Sequence, residues 1–135
     1  MARGRVRWSK EGRTALEEAA RHWRGWVPAR LAESVEEGGL VVVMAPRFRG
    51  RVGIALVRRM GRPETFRLRL DEFGSAAWGA IDGRRDVGQI ADLMRVRFGD
   101  RAEPAEGRLV EFLRRLRNAG CVDVTTPENR DQALK

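Results

Sequence analysis

The chain has one cysteine, Cys121, and one histidine, His22. A lone thiol excludes an internal disulfide and a thiolate metal cage, and a lone imidazole leaves no second ring for a zinc site. Cys121 also has no neighbouring histidine to activate it, so it reads as a buried or edge hydrophobe rather than a nucleophile. Long apolar runs are missing too. The longest, Leu40 to Pro46, falls far short of the roughly 20 residues that a membrane-crossing helix needs. Arg3, Arg5 and Arg7 are followed by Glu11, Arg13, Glu17 and Glu18 rather than by an apolar stretch, which does not fit a secretory signal. The expectation is a cytoplasmic protein. No phosphate loop is present, Gly50, Gly53 and Gly61 do not form a dinucleotide fingerprint, and no metal-ligand spacing appears. The neighbouring carboxylates Glu17–Glu18 and Asp71–Glu72 point different ways on a helix. These absences predict a protein without a cofactor and without a catalytic cluster.

What is present is one core's worth of apolar residues, 42% of 135, and an uneven charge. The net charge is +8. Residues 1–30 contribute +5, residues 31–45 contribute −3, residues 46–69 contribute +7, and residues 70–124 contribute −1. The positive charge therefore sits on the N-terminal arm and on the segment before residue 70, which suits an acidic partner, whether peptide or nucleic acid. Only two of the 27 basic residues are lysine, so the overall basicity is itself weak evidence of function.

Ser9 can cap a helix over Lys10–Arg24 with Leu16, Ala19, Ala20 and Trp23 on one face, ended by Pro28. Trp23, Trp26 and Val27 form an apolar knot that packs on the core, on a second copy, or on a partner. Glu33–Glu37 and Leu40–Ala45 flank Gly38-Gly39, which predicts a β-hairpin. The β-branched run within Leu40–Met44 predicts burial on both faces. Pro46 to Pro63 mixes Val52, Ile54, Leu56 and Val57 with many arginines. It is compatible with a short amphipathic helix, an irregular insertion, or a segment lying on a membrane surface.

Thr65–Leu70 alternates strictly, with Phe66, Leu68 and Leu70 on one face and Thr65, Arg67 and Arg69 on the other, as in a half-buried strand. Three short helices follow. Asp71 caps the first, which has a stripe of Phe73, Ala76, Ala77, Ala80 and Ile81, Trp78 beside it, and Gly83 as its stop. Asp86 with Gln89 makes a capping box for the second, whose face is Val87, Ile90, Ala91, Met94 and Phe98, with Gly99 as its stop. Pro104 opens the third, with Leu109, Phe112, Leu113 and Leu116 as core positions and Gly120 as its end. Cys121–Val124 reads as a short edge strand, and Thr125–Lys135 as a polar tail. The predicted class is α+β and winged helix-turn-helix-like. A three-stranded antiparallel sheet precedes a three-helix bundle, with an additional N-terminal helix.

The ordered set Leu70-Asp71, Gly74-Ser75, Trp78, Asp82-Gly83-Arg84-Arg85, Val87 and Ile90-Ala91 resembles the signature of the PqqD family. The likeness continues through Leu93, Phe98-Gly99, Arg108-Leu109, Phe112-Leu113, Leu116 and Gly120, and spans about residues 64–124. The resemblance implies a recognition element for ribosomally made, post-translationally modified peptides. Such a module binds the leader segment of a precursor peptide as a strand added to the third strand of its sheet, beside the third helix. It then presents the peptide to a modifying enzyme, often a radical SAM enzyme. The chain differs from short family members by an arm at 1–28 and an insertion at 46–63, leaving 29–124 as the PqqD-like domain and 125–135 as the tail.

On this reading the peptide-binding residues are Thr65, Phe66, Arg67, Leu68 and Arg69 on the strand and Arg108, Leu109, Phe112 and Arg115 on the third helix. Leu109, Phe112 and Leu116 would give an apolar floor. Arg108 and Arg115 lie two turns apart and would form a rim that, with Arg67 and Arg69, favours acidic residues in the peptide. Plainer readings stay open. Phe112 and Leu116 also suit the core, and the arginines also suit a solvated surface. A basic winged helix can bind nucleic acid, although the helical block at −1 argues against it. An open strand edge and an apolar arm would equally serve a homodimer or a non-catalytic scaffold.

Overall fold

A computed structural model describes residues 18, 21–46, 59 and 65–126. Most of the expected Lys10–Arg24 helix and nearly all of the expected insertion lie outside the described residues. The class is α+β. Strands β1 (Val27–Arg30), β2 (Ser34–Glu37), β3 (Leu40–Pro46) and β4 (Thr65–Arg69) precede helices α1 (Glu72–Ala80), α2 (Val87–Phe98) and α3 (Ala105–Asn118). A 3-10 turn at Gly99–Ala102 joins α2 to α3, and strand β5 (Val122–Thr125) follows.

The main sheet is antiparallel with order β2-β3-β4. Its hairpin turns on Gly38 and Gly39, whose φ angles are 59° and 80°. A two-residue hairpin loop that follows the twist of its strands needs positive φ at both positions, and glycine supplies it without a Cβ clash. Val43 and Ala45 join the core on the sheet's helix-facing side, while Val42, pointing the other way, is only 2% exposed. The β3 run is thus buried on both faces, as its continuous apolar character predicts. Along β4 the burial fades. Leu70, just past its end, is buried, Leu68 is half-buried, and Phe66 is 39% exposed.

Helices α1 and α2 start where a side-chain cap is available. The Asp71 carboxylate accepts from the Gly74 N–H at 2.7 Å. The Asp86–Gln89 capping box is complete: Gln89 N–H donates to Asp86 at 2.8 Å, and Asp86 N–H donates to the Gln89 side chain at 2.9 Å. Asp86→Ala removes the accepting half of that box, so it should cost about 1 kcal/mol in a urea melt. The carbonyls of Arg24 and Trp26 take up the next two N–H groups, those of Gly88 and Val87. That brings the aromatic knot onto the start of α2. Trp23 is buried and stacks on Trp26 with centroids 4.5 Å apart, and the Arg117 guanidinium lies 4.9 Å from the Trp23 ring centre. His22 is exposed at the knot's edge, against Trp26. Helix α3 ends in paired bonds, Gly120 N–H to the Arg117 carbonyl and Cys121 N–H to the Leu116 carbonyl, with Gly120 at φ 79°.

Two local expectations need correcting. Helix α1 stops at Ala80 and is capped by Ile81, before Gly83. Gly83 lies instead in a turn closed by Asp82, whose carboxylate accepts from the N–H groups of Arg84 and Arg85. The second correction is β1. Val27–Arg30 pairs antiparallel with β5, placing Pro28 opposite Val124, so the strand crosses the position at which the arm was expected to end. Pro28 reads as a helix stop in sequence, yet a two-stranded ribbon has a free side on which a missing N–H costs nothing.

Trp78 is only 1% exposed and ties the layers together. Its indole N–H donates to the Ser34 hydroxyl of β2 at 2.9 Å, and its carbonyl accepts from Arg30 Nε and Nη2 at 3.1 and 2.6 Å. Arg95 does the same between α2 and the start of α3. It bonds Asp92 and Glu103 at 2.9 and 2.8 Å, and its hydrogen bond to Glu103 holds that carboxyl below the usual carboxylate range. No buried polar or charged side chain occurs among the described residues.

Candidate functional site

Strand β4 occupies one edge of the main sheet, with β3 on one side and no strand on the other among the described residues. Which backbone groups face that free edge follows from the ladder. Leu70 N–H donates to the Val41 carbonyl of β3, and Met44 N–H turns the other way, to Glu33. Backbone direction alternates along an antiparallel pair. Phe66, Leu68 and Leu70 therefore bond inward to β3, and the N–H and C=O groups of Thr65, Arg67 and Arg69 point to the free edge. An extended chain laid along this edge would find evenly spaced donors and acceptors.

The side chains divide along the same alternation. Arg67 pairs across the sheet's outer face with Glu37 of β2. That hydrogen bond, with added attraction from Arg69, holds the Glu37 carboxyl below its ordinary range. Phe66 and Leu68 lie on the other face, toward the helices, and remain partly accessible.

Phe112 of α3 packs against α1 just past the end of β4. Its ring edge packs over the Gly74 backbone so closely that a Cβ there would lie 3.0 Å from Phe112 Cε2 and 3.4 Å from the Leu70 Cβ. Gly74 is what lets the ring approach α1 this closely. One turn earlier, the Arg108 guanidinium lies 4.1 Å from the Phe73 ring centre and donates to the Arg101 carbonyl at 2.6 Å. Burial against that ring lowers its pKa from the ordinary arginine value, while Asp71 opposes the shift and Arg101 adds to it. Arginine stays charged under these conditions. The result is a half-buried cation held in place by a ring and a carbonyl, with no ion-pair partner among the described residues.

Not every expected residue reaches this surface. Leu109 is 0% exposed and Leu116 is 2% exposed, so both belong to the core. Of the expected apolar floor on α3, Phe112 alone remains partly accessible, because Leu109 and Leu116 turn toward the centre of the domain. Arg115 is exposed and engages Glu111 on its own helix at 3.2 Å. The position of Phe73 as platform for Arg108 was not legible in the sequence, where it reads as one more residue of the α1 stripe. Chemically the region offers backbone pairing, an apolar contact and a fixed positive charge. No group of three or more His, Cys, Asp or Glu side chains that could hold a metal occurs among the described residues.

No helix among the described residues is long and apolar enough to cross a membrane. No curated protein and no solved structure matches the chain. Residues 62–122 match the family model of coenzyme PQQ synthesis protein D. That interval holds the edge strand β4, all three helices, and both Arg108 and Phe112. With the edge and its flanking helix inside the matched interval, the chain carries a PqqD-family domain.

Proposed function

We propose that the domain binds the leader segment of a ribosomally made precursor peptide as an added strand along β4. It then presents that peptide to a modifying enzyme in the cytoplasm, as a peptide chaperone of winged-helix type. The observation that carries this reading is the edge position of β4 in a PqqD-family domain, with the backbone of Thr65, Arg67 and Arg69 turned outward. Backbone pairing gives affinity with little sequence preference, so selectivity falls to the side chains beside the edge. Phe66, Leu68 and Phe112 favour an apolar residue in the leader, and the positioned Arg108 favours a carboxylate near it. Arg67 and Arg115 already hold Glu37 and Glu111, so they contribute less to that preference than Arg108.

The test is a titration of the full chain with the leader of the precursor peptide encoded beside it, followed by amide NMR shifts. Saturable shifts should concentrate at 65–70 and 108–112. Arg108→Gln keeps a polar side chain and removes the charge. It should weaken an acidic leader about tenfold, the scale of one charge-assisted hydrogen bond. A leader with its acidic residues made neutral should bind both proteins equally. Shifts confined to other regions would overturn the reading. So would tight binding of duplex DNA that collapses steeply between low and moderate salt, the signature of phosphate contacts.

A further inference from the structure

A groove of about 540 Å³ opens between the β2–β3 hairpin, α1 and α2. No residue of β4 or α3 lines it, so it is separate from the edge described above. Its α1 wall is mostly small side chains, Ser75, Ala76, Gly79 and Ala80, with Glu72 at the N-terminal end. Its α2 wall carries Leu93, which is 39% exposed, and the apolar surface continues one turn on to Val96, which is 86% exposed. Helix α2 thus has an apolar face toward the core and a second one with no partner among the described residues.

The groove's chemistry selects a helix over a strand. The hairpin offers it no free backbone donor at Val41, whose N–H is taken by the Ser75 hydroxyl at 2.9 Å. At that point on the groove floor an occupant is held by side chains. A wall of small residues lets a second helix approach closely, within about 8–10 Å between axes. The rim is polar in opposite senses. Glu36 stands on the hairpin side and Arg97 on the α2 side, and neither forms an ion pair among the described residues. A helix with an apolar stripe, basic residues along one flank and acidic residues along the other would match both rims.

We propose that this groove is the docking site for such an amphipathic helix on the modifying enzyme, so that leader and enzyme occupy different faces of one domain. This rests on the function proposed above. Gly79→Arg is the decisive variant. A Cβ at Gly79 meets no atom within 4 Å, so the new side chain enters the groove without displacing the core. The experiment is calorimetric titration of the full chain with the modifying enzyme encoded beside it and, separately, with the precursor leader. Circular dichroism melts confirm the fold. Gly79→Arg and Leu93→Glu should each lower enzyme affinity at least tenfold and leave leader affinity within twofold. Unchanged enzyme affinity in both folded variants overturns the docking site, as does loss of leader affinity with enzyme affinity retained. A wild-type chain that binds leader but no enzyme overturns the docking site alone. One that binds enzyme through the groove but no leader overturns the strand-addition reading and leaves the groove standing. Failure to bind either overturns both.

Discussion

Arg67→Pro should abolish leader binding while the domain stays folded, whereas Leu68→Pro should unfold it. The two positions are adjacent, and their opposite outcomes come from the direction of their N–H groups. Leu68 bonds inward to β3, so proline there removes a ladder bond and distorts the sheet. The Arg67 N–H faces the free edge, where proline is tolerated in edge strands. A pyrrolidine ring at 67 removes the central donor and places its bulk where the incoming strand must lie. A combined loss of about 3 kcal/mol corresponds to roughly a hundredfold in affinity. Arg67→Ala serves as the control. It retains the N–H and loses the exposed pair with Glu37, which contributes little to stability, so its leader affinity should stay within a few-fold of wild type. Calorimetric titration of the three variants with melts alongside checks this. Full affinity in a folded Arg67→Pro protein would place the peptide elsewhere.

Leu109→Ala should cost about 2–5 kcal/mol, because a fully buried leucine leaves a cavity that its neighbours fill only in part. Against a typical domain stability of about 5–15 kcal/mol that is a large fraction. A fall of about 10 °C or more in melting temperature is expected. Leader affinity, measured well below the melt, should remain within twofold of wild type, since the Leu109 side chain has no surface to offer. Phe112→Ala should behave differently, losing affinity as well as stability, because its ring is partly accessible beside Leu70. Equal affinity losses in folded Leu109→Ala and Phe112→Ala would mean that the core opens when peptide binds.

The contrast between Leu109 and Phe112 shows what sequence can and cannot say. Helical spacing places both on the apolar side of α3. Which of them reaches the surface depends on where α1 and β4 stand, and that is set by contacts distant in sequence, such as Phe112 over Gly74. The same limit hid β1 and the Arg108–Phe73 contact, since neither partner carries a local signal for the other. Features closed within a few residues were legible. The Gly38-Gly39 turn, the Asp86–Gln89 box and the Gly120 stop all stand where the sequence puts them, because the groups they satisfy are neighbours along the chain. The alternation of β4 was legible too. That its outward amides are those of the arginine face required the hydrogen-bond direction at Leu70.

The β1–β5 ribbon has a consequence for how the domain can be carried. Val27 stands opposite Thr125, so the stretch between them begins and ends at one place. A unit with adjacent entry and exit points can be spliced into a surface loop of a larger protein without prising that loop apart. Its sheet edge and its second groove would keep their geometry in such a host. The architecture is thus equally suited to a free-standing protein and to a cassette within a larger one.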